Sequence, residues 1–149
     1  MNADTWIVDL RPLRRDGSVA TARALCRARD AEAGGVLVDV DVPREGPLAI
    51  APARASEDAR FGPLTLDEAL ALAAGRTAIA ARLRASGGTD PRGRADRVLR
   101  GLERAGSPAA VAVLDEDTET LRALKTRAPL LTTGLVAPDQ RAVADAVER

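Results

Sequence analysis

The sequence is poor in the residue types on which many sites depend. Its 149 residues include no histidine, one cysteine and two aromatic residues, Trp6 and Phe61. With Cys26 as the only thiol and no imidazole, a disulfide within the chain and a structural zinc site are both excluded. The formal net charge is zero, and two aromatic side chains do not make a base-stacking platform. Composition therefore argues against a nucleic-acid partner.

Long apolar runs are missing as well. No run approaches the length of a membrane span, and the first twelve residues lack the basic and apolar segments of a signal peptide. We therefore expect a cytoplasmic protein without a membrane span. The sequence also lacks a P-loop, a dinucleotide-binding glycine fingerprint and a Gly-x-Ser-x-Gly elbow, and we predict no cofactor.

What the sequence does contain is an alternation of short β-branched runs and helical stretches. Strands are predicted over residues 6–10, 36–42, 47–51, 77–83, 109–114 and 131–137, and helices over residues 18–31, 66–74, 91–105, 118–127 and 139–148. Thr65 followed by Glu68 is a capping box, and Asp90 before Pro91 is an N-cap with proline at the first helical position. The alternation predicts a parallel sheet covered by helices, in a single domain over residues 1–149.

Acidic residues mark the ends of two predicted strands. Asp39 and Asp41 interrupt a strand that should be apolar if it is buried in a parallel sheet. The carboxyl ends of such strands are the usual place for a functional site, and the alternative is that both residues cap the strand or pair with arginine. A second acidic group consists of Asp115, Glu116 and Asp117. These residues either form a solvated helix N-terminus, whose dipole favours acids, or belong to a metal site.

The spacing of several segments resembles that of the glycerophosphodiester phosphodiesterases. That family has a strand ending in His-Arg-Gly, a helix beginning Glu-Asn-Thr, a strand with Glu-Leu-Asp-Val and a strand ending in His-Asp. In the same frame, this sequence has Leu10-Arg11-Pro12, Val19-Ala20-Thr21, Leu37-Val38-Asp39-Val40 and Pro52-Ala53. Residues 64–68 are similar to the family's Pro-Thr-Leu-Glu-Glu, and residues 81–84 fall where the family has Ile-Glu-Ile-Lys.

The resemblance implies an α/β fold, an incomplete TIM-barrel-like (β/α) parallel sheet of about six strands. A full barrel takes about 250 residues, and the family's last strands have no counterpart in this sequence. Such an open sheet leaves edges and an apolar interior to be covered. We therefore predict a homodimer, with another protein chain as the alternative cover.

The resemblance also implies that the family's chemistry is lost. Those enzymes cut a phosphodiester with two histidines as acid and base and with a divalent metal held by carboxylates. Leu10 and Pro52 stand at the histidine positions, so no catalytic residue is assigned. Leu37 and Arg82 replace two of the three carboxylates that bind the metal in the family. Asp39 is the one ligand that remains, and a single carboxylate does not hold a divalent metal ion.

Three arginines indicate a remodelled site. Arg11 stands at a position that faces the phosphate in the family's enzymes. Arg84 stands where the family has a lysine, and Arg82 places a positive charge near the position of the lost metal. In one interpretation Arg82 or Arg84 pairs with Asp39 and fills the space of the metal. In the other, Arg11, Arg82 and Arg84 bind a phosphate-containing small molecule. We predict a catalytically inactive protein. The alternatives are an enzyme repurposed around Asp39 and nearby acids, or a weak phosphodiesterase.

Overall fold

The structure, a computed structural model, describes residues 7–10, 17–51, 63–84, 90–106 and 108–136. In chain order its elements are β1 (Ile7–Asp9), α1 (Gly17–Asp30), β2 (Gly35–Asp41), β3 (Ala49–Ile50), α2 (Leu66–Ala73), β4 (Ala78–Leu83), α3 (Pro91–Ala105), β5 (Val111–Asp115), α4 (Thr118–Arg127) and β6 (Thr132–Leu135). Each predicted element that falls in these ranges is present, and the helix predicted over 139–148 lies outside them. None of the described helices has the length and apolar character needed to cross a membrane.

The strands form a single sheet whose order follows the sequence. The path is β1-β2-β4-β5-β6, and every neighbouring pair on it is parallel. Connections between parallel strands are right-handed, so a sheet that grows in one direction receives all its crossover helices on one face. The described part of the chain is therefore a sector of a barrel wall, which confirms the incomplete TIM-barrel-like α/β fold.

β3 is the exception to the parallel pattern. It pairs antiparallel with β2, with Val40 opposite Ile50 and Asp41 opposite Ala49. Residues 42–48 alone connect the two strands, and a parallel crossover takes a dozen residues or more. The predicted third strand thus forms a hairpin with β2. The residue pattern of the strand did not reveal its antiparallel direction.

The main core lies between the sheet and the helices. Val36, Val38 and Val40 of β2 belong to one buried cluster with residues from all four helices, among them Leu25, Leu70, Val98 and Leu124. Successive side chains of a strand point to opposite faces, so Leu37, Asp39 and Asp41 lie on the face without helices. The acidic residues that interrupt the predicted strand therefore belong to the inner face of the barrel sector.

The helix starts form as the sequence predicts. The N–H of Glu68 donates to Thr65 Oγ1, and Glu68 Oε2 accepts from the N–H of Thr65 at 2.8 Å, completing the capping box of α2. These hydrogen bonds hold the pKa of Glu68 below its ordinary value. At α3, Asp90 Oδ1 accepts from the N–H of Gly93 at 2.8 Å, with Pro91 at the first turn. Both cap predictions are confirmed.

Candidate functional site

The carboxyl ends of β2, β4 and β5 meet at one edge of the sheet and line an open cleft of about 540 Å³. Parallel strands end on the same side, which is where sites form in such folds. The cleft brings together most of the residues singled out in the sequence. Its charged lining consists of Asp39, Arg82, Arg84, Arg94, Asp115, Glu116 and Asp117.

Arg82 bridges two carboxylates in this cleft. It stands opposite Asp39 in the register of β4 and β2, and its Nε lies 3.9 Å from Oδ1 of Asp39. Its Nη2 donates a hydrogen bond of 3.1 Å to Oε1 of Glu116. Asp39 is 4% exposed, so Arg82 links a buried acid to a solvated one. This contact is the ion pair that one of the two interpretations of the arginines describes.

Arg84 is held more loosely. Its Nε lies 3.7 Å from Oδ1 of Asp41, and both side chains are 45% exposed. Ion pairs between such solvated groups contribute little, about 0–1 kcal/mol. The guanidinium of Arg84 is therefore accessible from the cleft, with only a weak bond to its carboxylate partner.

Arg94 and Asp115 form a buried ion pair at the base of the cleft. They are 7% and 3% exposed, and Nη2 of Arg94 lies 3.2 Å from Oδ2 of Asp115. The same nitrogen donates a hydrogen bond of 2.9 Å to the carbonyl oxygen of Arg84. Burial raises the pKa of Asp115, and this effect is opposed by the N–H of Asp117 and by the charge of Arg94.

Arg94 was missed in the sequence, although a signal for it exists. It stands four residues before Val98, which is itself four residues before Leu102, and residues at this spacing share one helix face. Val98 and Leu102 are both buried. An arginine on the apolar stripe of a helix requires a buried partner, and Asp115 is that partner.

The acidic end of β5 has three separate tasks. Asp115 pairs with Arg94, Glu116 pairs with Arg82, and Asp117 caps α4. Oδ1 of Asp117 accepts a hydrogen bond of 3.0 Å from the N–H of Glu119, as expected of an acid at a helix N-terminus. In the described ranges, no group of three or more acidic or thiol side chains is arranged to hold a metal ion.

The metal that the family positions imply does not fit the residues present. Leu37 offers no ligand atom, and the guanidinium of Arg82 lies beside Asp39, where it would repel a cation. Leu10, at one family histidine position, is 5% exposed and belongs to the helix-side core. Arg11 and Pro52 lie outside the described residues.

Several solved phosphodiesterase structures share this architecture. A glycerophosphodiester phosphodiesterase from Parabacteroides distasonis matches with a TM-score of 0.63 at 14% identity, covering 87% of this chain and 63% of that one. The fold is that of the glycerophosphodiester phosphodiesterases. An Oleispira antarctica phosphodiesterase in complex with the product sn-glycerol-3-phosphate matches with a TM-score of 0.65 at 14% identity, covering 95% of this chain and 70% of that one. The Agrobacterium tumefaciens glycerophosphodiester phosphodiesterase gives a TM-score of 0.55 at 20% identity, with coverages of 87% and 65%.

These likenesses concern the fold. This chain spans 63% of the length of the Parabacteroides protein. No protein-family model matches the sequence, and a search of curated proteins gives no match either. The fold thus agrees with the family resemblance seen in the sequence, while the activity has to be argued from the site itself.

Proposed function

We propose that this chain is a catalytically inactive relative of the glycerophosphodiester phosphodiesterases that binds a phosphate-bearing small molecule in the cleft of β2, β4 and β5. The observation that carries the proposal is the contact of Arg82 with Asp39. A fixed cation occupies the position where the resemblance places a metal ligand. The resemblance also gives the roles of acid and base to two histidines, and the chain has no histidine.

The binding charge comes from Arg82 and Arg84. Residues two apart on a strand face the same side, so both guanidiniums reach the cleft. Their solvated partners Glu116 and Asp41 are held by exposed ion pairs, which are weak. A phosphate that accepts two parallel hydrogen bonds from a guanidinium is a stronger partner, and it displaces these carboxylates. Asp39, which is buried, remains beside Arg82 and orients it.

Calorimetric titration with sn-glycerol-3-phosphate tests whether a phosphate replaces these carboxylates. Two variants are expected to change the affinity in opposite directions. Arg84→Gln is expected to weaken binding about tenfold, because hydrogen bonds to a charged group are lost. Glu116→Gln is expected to strengthen binding a few-fold, because it removes a carboxylate that competes for Arg82.

The matched control is Glu119→Gln, which neutralises an exposed acid paired with Arg122 on α4 and should leave the affinity unchanged. Equal affinities for all three variants and the unaltered protein would overturn the binding proposal. Release of glycerol phosphate from a glycerophosphodiester by the unaltered protein with Mg²⁺ or Ca²⁺ would overturn its non-catalytic part.

A second candidate is an enzyme with different chemistry, favoured by the environment of Asp115. Burial raises the pKa of this carboxyl, and a raised pKa suits a general acid at neutral pH. The carboxylate is also bound by Arg94 and by the N–H of Asp117 at 3.1 Å. These contacts favour a structural role, and we place this candidate second.

We also propose that the chain forms a homodimer through the face of the sheet without helices. Leu37, Ala80 and Leu114 on that face are only partly buried, and Ile7 on the edge strand β1 is 61% exposed. A second copy of the chain would cover these apolar groups.

Light scattering at micromolar concentration is expected to give twice the chain mass of 15.6 kDa. Ile7→Asp should shift the protein to the monomer, because a charge cannot be buried unpaired in the interface. Leu130→Asp is the matched control, since Leu130 is fully solvated between α4 and β6 and its replacement should leave the dimer intact. A monomeric unaltered protein would contradict the proposal.

A further inference from the structure

A second cleft concentrates positive charge. It has a volume of about 230 Å³ and lies between α3 and the turn that joins β2 to β3. Its charged lining is one carboxylate against four guanidinium groups, namely Glu45 with Arg44, Arg97, Arg100 and Arg104. None of these residues lines the cleft of Arg82 and Arg84.

The fold brings these arginines together through the helix period and a glycine. Arg97, Arg100 and Arg104 follow one another at three and four residues, so they share one face of α3. Gly101 lies on the same face, and a Cβ there would overlap with the buried side chain of Leu48. The missing side chain lets the β2–β3 turn approach the helix, which places Arg44 beside the arginines of α3.

Arg97, one of the residues that line this cleft, lacks acceptors for two of its nitrogens. Its Nε and Nη2 atoms are buried, and within the described part of the chain they have no hydrogen-bond partner. Burial of charged donors without acceptors is costly. The acids of α3 do not meet this need, because Asp96 pairs with Arg127 of α4 and Glu103 does not line the cleft.

We propose that this cleft is a second anion site, which binds a small phosphate-bearing compound of at least two negative charges. Planar guanidinium groups match phosphate oxygens in pairs. A reorientation of Arg97 towards the anion would also give its buried nitrogens the acceptors that they lack. The small volume selects a compact group, such as free phosphate, pyrophosphate or the phosphate of an ester. The site stands independently of the proposed function, because the two clefts have no residue in common.

Calorimetric titration of the full chain with pyrophosphate at low ionic strength tests the site. Arg44→Gln and Arg100→Gln are each expected to weaken binding about tenfold. Both side chains are exposed, so the variants should fold, which circular dichroism would check. The control Arg122→Gln neutralises another exposed arginine, which lies on α4 outside the cleft, and this variant should bind as the unaltered protein does.

Two further experiments distinguish binding at this site from binding in the cleft of Arg82 and Arg84, and from binding of nucleic acid. A double variant with Arg82→Gln and Arg84→Gln should keep the pyrophosphate binding that Arg100→Gln weakens, so each site fails on its own. Titration with inorganic phosphate and with a phosphate ester tells a free anion from an esterified one. Unchanged affinity in both Arg44→Gln and Arg100→Gln would overturn the proposal. Tighter binding of a DNA duplex than of pyrophosphate would overturn it in favour of a nucleic-acid surface.

Discussion

Replacement of Arg94 by methionine is expected to lower the free energy of unfolding by about 3 kcal/mol at pH 7, as measured by urea denaturation. The reason is that breaking a buried ion pair leaves the other charge without compensation, at a cost of about 3–5 kcal/mol. Methionine keeps much of the volume of the arginine, so the loss of charge dominates over a cavity. Asp115, 3% exposed, is the group left without its cation.

The pH dependence of the lost stability tests whether Asp115 is its origin. Burial raises the pKa of Asp115 in the folded protein, and loss of Arg94 raises it further. A carboxyl whose pKa is higher in the folded state binds its proton more tightly there, so its contribution to stability falls as the pH rises through that pKa. The deficit of the variant should therefore shrink when the pH is lowered from 7 to 5.

The matched comparison is the double variant with Arg94→Met and Asp115→Asn. Removal of the buried charge together with its partner should restore most of the lost stability, as a double-mutant cycle would show. A deficit in Arg94→Met below about 1 kcal/mol, the value of a surface pair, would contradict a buried ion pair. A deficit that is the same at both pH values would contradict the role of Asp115.

A double variant with Leu37→Glu and Arg82→Glu is expected to bind Ca²⁺, and the unaltered protein is expected not to bind it. Asp39 lies opposite position 82 in the register of β2 and β4 and on the same strand face as position 37. Three carboxylates would then converge where the resemblance places the metal. Oxygen-rich sites of this kind bind Ca²⁺ with dissociation constants on the order of 1 mM or tighter, which calorimetry can measure.

The control for the gained metal site is the pair Leu37→Gln and Arg82→Gln, which has similar shape and no added charge. It should remain without Ca²⁺ binding, because amides are weaker ligands and two negative charges are missing. A folded carboxylate variant that binds no Ca²⁺ would show that the metal position of the family is not preserved in this backbone.

The fold was largely accessible from the sequence because its signals are local. Thr65 with Glu68 and Asp90 with Pro91 set two helix starts through contacts within one turn, and both appear as predicted. The strands were found from short apolar runs. The antiparallel direction of β3 was not found, because it depends on the length of the connection from β2 and not on the residues of the strand.

The site was accessible only in part. Arg82 and Arg84 were singled out through the family resemblance, and Asp39 also through its place in a predicted buried strand. The structure brings all three to one cleft. The pairing of Arg82 with Asp39 was one of two interpretations of the sequence. The second partner of Arg82 was not predicted, since Glu116 is 34 residues away in the chain. The second arginine cleft was missed because arginine is common in this sequence. Gly101 in the middle of a helix was the available signal of a close approach.

The order of the strands has a consequence for how the chain reaches its structure. Each parallel strand pairs with the next one in the sequence, so every strand–helix unit docks on a neighbour that has already been synthesised. Pairing of each parallel strand with the next one along the chain keeps the loops that must close shorter than in a sheet of mixed order. The sheet can thus assemble progressively from β1 towards β6 during translation, with each exposed edge serving as the template for the following strand.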